Sequence, residues 1–198
     1  RMQKPKQKRS LVRTNKILDT AELILNEENL KALTIARISQ DAQLKRTSTY
    51  KFFETPEEIK IALVERYIKR CNKNLISGLS GNNNQDYAGC LRQSTEIIRD
   101  FFLLNPGAQK LILENTVSPP ISSKNLNLIA GTILKHIEKT IGLPNMFNKS
   151  GVFLVITQII FSILSLNTKE NSSLTDVGIN EAVRSANSYL LSCLATEG

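Results

Sequence analysis

A single histidine, His136, and three cysteines, Cys71, Cys90 and Cys193, are the chain's whole stock of the side chains most used for metal binding and nucleophilic catalysis. The cysteines are far apart and form no Cys-x-x-Cys or Cys/His pairing, so neither a disulfide framework nor a zinc site is signalled. Glycine-rich phosphate loops, a Gly-x-Ser-x-Gly elbow and His/carboxylate metal patterns are missing as well. No catalytic residue, metal or cofactor is expected. His136 stands beside Lys135, Glu138 and Lys139 on the polar positions of a helix, and is read as facing solvent rather than as a base. Cysteines so few and so spaced fit a reducing cytoplasm. The basic stretch Arg1 to Arg9 is followed by no apolar run and no small-residue cleavage site, so a secretory signal is not read and a cytoplasmic location is expected.

Sustained alternation of apolar and polar residues is also lacking, as are internal repeats and long low-complexity tracts. Apolar residues recur at helical spacing almost throughout, and the fold class is all-α. The one long apolar run, Gly151 to Leu166, extends about 24 Å as a helix, short of a bilayer crossing, and carries Gln158 in its middle. It is read as a buried core or interface helix, with no membrane insertion.

What the chain has in excess is positive charge, and it is unevenly placed. The net charge is +8. Residues 1–73 carry 17 Lys and Arg against 9 Asp and Glu, and residues 74–198 carry 9 against 9. A basic module beside a neutral one points to a polyanion for the first, either a phosphate backbone or an anionic membrane surface, and a different task for the second.

Helix signals divide the chain further. The first helix is expected from near Ser10, with Ile17, Ala21, Ile24 and Leu25 on one face and Asn29 ending it in a left-handed C-cap. Thr34 is placed to cap a second helix bearing Ile35, Ile38 and Ala42. A third runs from about Arg46 to Phe52. Thr55-Pro56-Glu57-Glu58 opens a fourth, with Thr at the N-cap, Pro at the first helical position and Glu58 at the capping-box position. The Gly, Ser and Asn cluster from Ser77 to Gln85 reads as a loop between modules. Helices follow at Tyr87 to Leu104, about Ala108 to Asn115, a stripe from Leu126 to Ile141, Gly151 to Leu166, and Asn180 to Leu194.

The segment Thr34 to Phe53 has the pattern of two short helices crossing at a tight turn. Ile38, Ala42, Leu44 and Phe52 would form the seam, with Ser39 small where the helices approach. Lys45, Arg46, Thr47, Ser48, Tyr50 and Lys51 are left on a donor-rich outer face that suits the DNA major groove, with Thr34 at the start of the preceding helix. Lys4, Lys6, Lys8 and Arg9, with Arg13, form a basic arm that could follow the DNA backbone or stay a solvated tail.

Ile17-Leu18, Ala21, Thr34, Ile38 to Ala42, Tyr50, Phe53 and Glu57-Glu58-Ile59, in this order, resemble the N-terminal domain of tetracycline-repressor-type (TetR) transcriptional regulators. The match covers about a fifth of the chain in detail, and the last helix, from Thr175, is similar too. The sequence departs from that family at three points: Gln43 in place of the turn glycine, Thr49 in place of an apolar residue, leaving a looser seam, and Pro56 in place of a phosphate-holding lysine. The resemblance implies an arm at 1–9, a helix-turn-helix domain at 10–54 and a helical effector-binding and dimerisation domain at 55–198 reached through a long fourth helix.

It also implies the partners. These are a palindromic operator in double-stranded DNA, a second copy of the chain held through the helices 151–166 and 180–194, and a small-molecule effector whose binding releases operator. Phe101, Phe102 and Ile112 suggest an apolar effector cavity, yet each is read first as ordinary core, and no ligand contact is assigned. The alternative to a regulator is a non-catalytic membrane-surface or protein-adaptor module using the basic first third.

Overall fold

A computed structural model describes residues 5–81, 83, 86–114 and 121–195, the side chains of residues 5 and 6 excepted. Every regular element among them is helical. α1 (Pro5–Glu27) is followed by a 3-10 turn (Leu30–Ala32), α2 (Ile35–Asp41), α3 (Arg46–Tyr50) and the long α4 (Pro56–Leu79). Then come α5 (Tyr87–Leu104), the short α6 (Pro106–Ala108) continuing into a π-helical turn (Gln109–Glu114), α7 (Ser123–Thr140), α8 (Lys149–Asn171) and α9 (Asp176–Ala195).

Local chemistry sets the ends. Thr34 Oγ1 accepts from Arg37 N at 3.1 Å, as expected of an N-cap. Thr55 caps α4 by accepting from Glu58 N at 3.3 Å, and Glu58 Oε2 reaches back to Glu54 N at 2.6 Å, closing a reciprocal cap one residue wider than the usual box. Asp86 and Ser122 cap α5 and α7 in the same way.

Three expectations change. α1 starts at Pro5 rather than near Ser10, because proline suits a first turn and the Lys, Gln and Arg after it are good helix formers. Lys8 and Arg9 are therefore helical and exposed. Asn29 does not end α1 in a left-handed cap. Its φ is −84°, and its side chain accepts from Lys31 N to start the 3-10 turn instead. α8 is longer than Gly151 to Leu166 and by length and composition alone could cross a bilayer. It is nevertheless a core helix, burying Phe153, Ile156, Ile160, Phe161 and Leu164 against α7, α9 and the π turn.

The core is one contiguous cluster. It runs from Ile17, Ala21 and Leu25 of α1 through Leu63, Tyr67 and Leu75 of α4 to Phe102, Ile133, Ile160 and Leu190 of the later helices. Phe102 stacks edge-on against both Phe101 and Phe161, with centroids 5.4 and 5.9 Å away. These rings and Ile112 fill space as ordinary core.

The joint between α1 and α6 is tight and polar. Asn26 Oδ1 accepts from Gly107 N at 3.2 Å. Lys110 Nζ, on the π turn, donates to the carbonyls of Leu25 at 2.7 Å, Glu28 at 3.1 Å and Asn26 at 3.3 Å, so one ammonium closes the carbonyl end of α1. A Cβ on Gly107 would sit 2.8 Å from the Tyr67 hydroxyl and 3.0 Å from Leu25 Cβ. Only glycine lets these backbones meet.

Candidate nucleic-acid interface

α2 and α3 cross at the turn 42–45, and the turn has a left-handed residue. Gln43 has φ 53°, a conformation that costs a residue with a Cβ about 1 kcal/mol. Leu44 N donates to Ser39 O at 2.9 Å and Gln43 N to Gln40 O at 3.0 Å, which satisfies the last carbonyls of α2. The turn thus has the geometry that glycine would favour, made here with glutamine.

Ile38 and Ala42 are buried in the seam as expected, with Leu44 half-buried. Phe53 takes the deep position and Phe52 is only half-buried. Thr49 is fully buried and does not loosen the contact. Ser39 Oγ lies 2.6 Å from the Ile35 carbonyl and 2.8 Å from Thr49 Oγ1. Each hydroxyl has one proton, so Ser39 gives its own to the carbonyl and takes one from Thr49. A buried polar pair joins the two helices where two apolar residues would otherwise meet.

The outer face is assembled as the sequence suggested. Lys45, Arg46, Thr47, Tyr50 and Lys51 are exposed, Ser48 is half-buried on the same short helix, and Thr34 is exposed at the start of α2. Tyr50 leaves 50% of its surface open. Five cations of neighbouring elements are held in ion pairs: Arg37 bonds Asp41 and Glu28, Arg66 holds Asp19 and Glu22, Arg70 holds Glu22, and Lys60 and Lys69 pair with Glu57 and Glu65. Hydrogen bonding to Asp41 and then Glu28 raises the Arg37 pKa further. No such partner engages Lys45, Arg46 or Lys51 among the described residues. Lys4 and the Lys6 side chain lie outside the described residues, whereas Lys8 and Arg9 project from the first turns of α1.

A second concavity, of about 760 Å³, lies between the end of α4 and the last turns of α7. His136 lines it and is not solvent-facing as expected. The residue is half-buried, its Nε2 is buried without a hydrogen-bond partner, and burial followed by the nearby Lys139 lowers its pKa below the usual histidine value. The sequence signal was present in the 135/139 and 136/140 spacings, which put four polar residues on adjoining stripes of one helix. What it could not show is that α4 faces them.

No protein-family model and no curated protein matches the sequence. Solved structures do. A TetR-family regulator from Streptomyces coelicolor superimposes with a TM-score of 0.67 at 20% identity, over 92% of this chain and 99% of its own. One from Rhodococcus sp. RHA1 gives 0.67 at 12% identity, over 91% and 96%. The TetR-family repressor AlkX from Dietzia sp. strain DQ12-45-1b, implicated in n-alkane biodegradation, gives 0.58 at 14%, over 91% and 97%. From the first turns of α1 to the end of α9, the chain has the all-helical fold of TetR-family transcriptional regulators.

Proposed function

We propose that the protein is a sequence-specific DNA-binding transcriptional regulator, with residues 10–54 as reader and residues 55–198 as a sensing and dimerising unit. The observation that carries the reading is the α3 face. Lysine, arginine, hydroxyl and phenol groups stand exposed on a short helix packed against α2, and no ion pair engages Lys45, Arg46 or Lys51 among the described residues, while Arg37, Arg66 and Arg70 are held in ion pairs. Arg46 suits a guanine edge, Thr47 and Ser48 suit base edges or phosphate, and Lys45, Tyr50, Lys51 and the Thr34 hydroxyl suit the backbone on either side. Lys8 and Arg9 would add phosphate contacts from the start of α1. The proposal assigns the chain no catalysis and places its action in the cytoplasm.

Two copies are needed to read a palindrome. α8 and α9 supply a matching surface, since Val155, Leu166, Val177 and Leu191 remain exposed beside the core they otherwise fill. A repressor mode is taken from the likeness to the repressor AlkX, and release by a small effector that favours one conformation is this proposal's own step.

Selection of random duplexes by the purified protein at about 150 mM salt tests the proposal, because that ionic strength suppresses purely electrostatic binding. A palindrome is the expected product. Arg46→Ala should then relax preference at one base pair by about 1–3 kcal/mol, whereas Tyr50→Phe should weaken all sequences alike. Recovery of no sequence, together with co-sedimentation on anionic vesicles, would transfer the basic face to a membrane-surface role.

A further inference from the structure

The cleft between α4 and α7 has two unlike walls. On the α4 side are Ile76 and the buried Leu79, followed by Ser80, Gly81 and Asn83, and Ile76 leaves 56% of its surface open although it is aliphatic. On the α7 side are Lys135, His136, Lys139 and Thr140. Among the described residues no carboxylate lines the space. Neither lysine makes an ion pair among the described residues, although Glu138, between them in sequence, is taken by Lys149 at 3.3 Å. Thr140 Oγ1 lies 3.5 Å from His136 Nδ1, which leaves Nε2 as the ring nitrogen with nothing to bond.

Each of these details alone has a bland explanation in a solvated lysine or a stray apolar side chain. Together they describe complementarity to one kind of molecule. Two ammonium groups four residues apart lie on one side of a helix, and the nearest counter-charge is turned away. Ile76 opposite is accessible, and the volume falls within the range of small-ligand sites. A neutral apolar ligand would leave both cations unanswered, and an inorganic anion would leave Ile76 wet.

We infer that this cleft binds a small amphiphilic carboxylate, its head group between Lys135 and Lys139 beside His136 and its hydrocarbon body against Ile76 and Leu79. The site stands on the helices of the C-terminal unit, and only the step from binding to control of DNA affinity rests on the regulator proposal.

Because His136 is the only histidine, its ring is an isolated reporter in a proton–carbon NMR spectrum. The full-length protein is titrated with sodium octanoate below its micellar range, and separately with 1-octanol and with sodium acetate. Octanoate should move the His136 ring resonance saturably, with octanol and acetate at least about tenfold weaker. The Lys135→Gln/Lys139→Gln double variant, checked for an unchanged melting curve, should lose about tenfold or more in octanoate affinity. No saturable shift, equal binding of octanol, or full affinity in the double variant would each overturn the inference. Since the readout needs no DNA, these failures leave the DNA-reading proposal untouched, and failure of duplex selection leaves the cleft untouched.

Discussion

Gln43 is the residue whose backbone the fold strains most usefully. With φ at 53°, it holds the turn that sets α3 against α2, and its amide is satisfied only in that geometry. Gln43→Gly should therefore stabilise the protein by up to about 0.5 kcal/mol, the relief of the Cβ clash less the entropy glycine adds to the unfolded chain. A urea midpoint that falls would contradict this. Cys71 gives a pH dependence. It is fully buried, and desolvation pushes its thiol from the ordinary value of 9.0 up to about 12. The folded state thus keeps a proton that the unfolded state sheds, so stability is intact below about pH 9 and declines as pH rises towards 12, by up to about 1.4 kcal/mol per unit. Cys71→Ala should flatten that slope in denaturation midpoints taken at pH 8 and 10. Burial acts in the same direction on Tyr67, with the Glu22 carboxylate adding to it, and on Cys90, with the Asp86 carboxylate adding to it, so these groups share any residual slope.

At the scale of elements, caps were legible and joints were not. Thr34, Thr55 and the end of α5 at Leu104 could be read from local chemistry, since a hydroxyl before an apolar stripe or an Asn-Pro-Gly needs no distant partner. The end of α1 depended on a residue more than eighty positions away: Lys110 supplies the closing donor that Asn29 was expected to make unnecessary. The π turn that carries Lys110 was equally invisible, because its widened register answers to packing rather than propensity. Lys110→Met keeps the stem and removes the charge. It should speed hydrogen exchange at the end of α1 by about tenfold, a local loss near 1.4 kcal/mol, while amides in the middle of α5 exchange as before. Uniform acceleration across both helices would mean that the clamp supports the whole fold rather than one joint.

Over the whole molecule, the division into a basic first third and a neutral remainder was plain from charge alone, and the exposure of Lys45, Arg46, Thr47, Tyr50 and Lys51 followed from residue type and order. The cleft was not, because Ile76 and Lys135 become neighbours only when α4 and α7 pack together. Nor did the sequence show that Thr49 would be repaid by Ser39. The outward apolar residues of α8 and α9 lead to an assembly prediction. Val155→Glu with Leu166→Glu should leave helix content unchanged and move the sedimentation coefficient from dimer to monomer, and a dimer that survives would place the interface elsewhere. The continuous core has a thermodynamic corollary. Because α4 packs against α1 on one side and against α5 and α7 on the other, neither set of helices keeps its interior if the other melts. Heat should find no half-folded stage on which to pause, and a calorimeter should record one peak whose van't Hoff and calorimetric enthalpies agree for the monomeric variant.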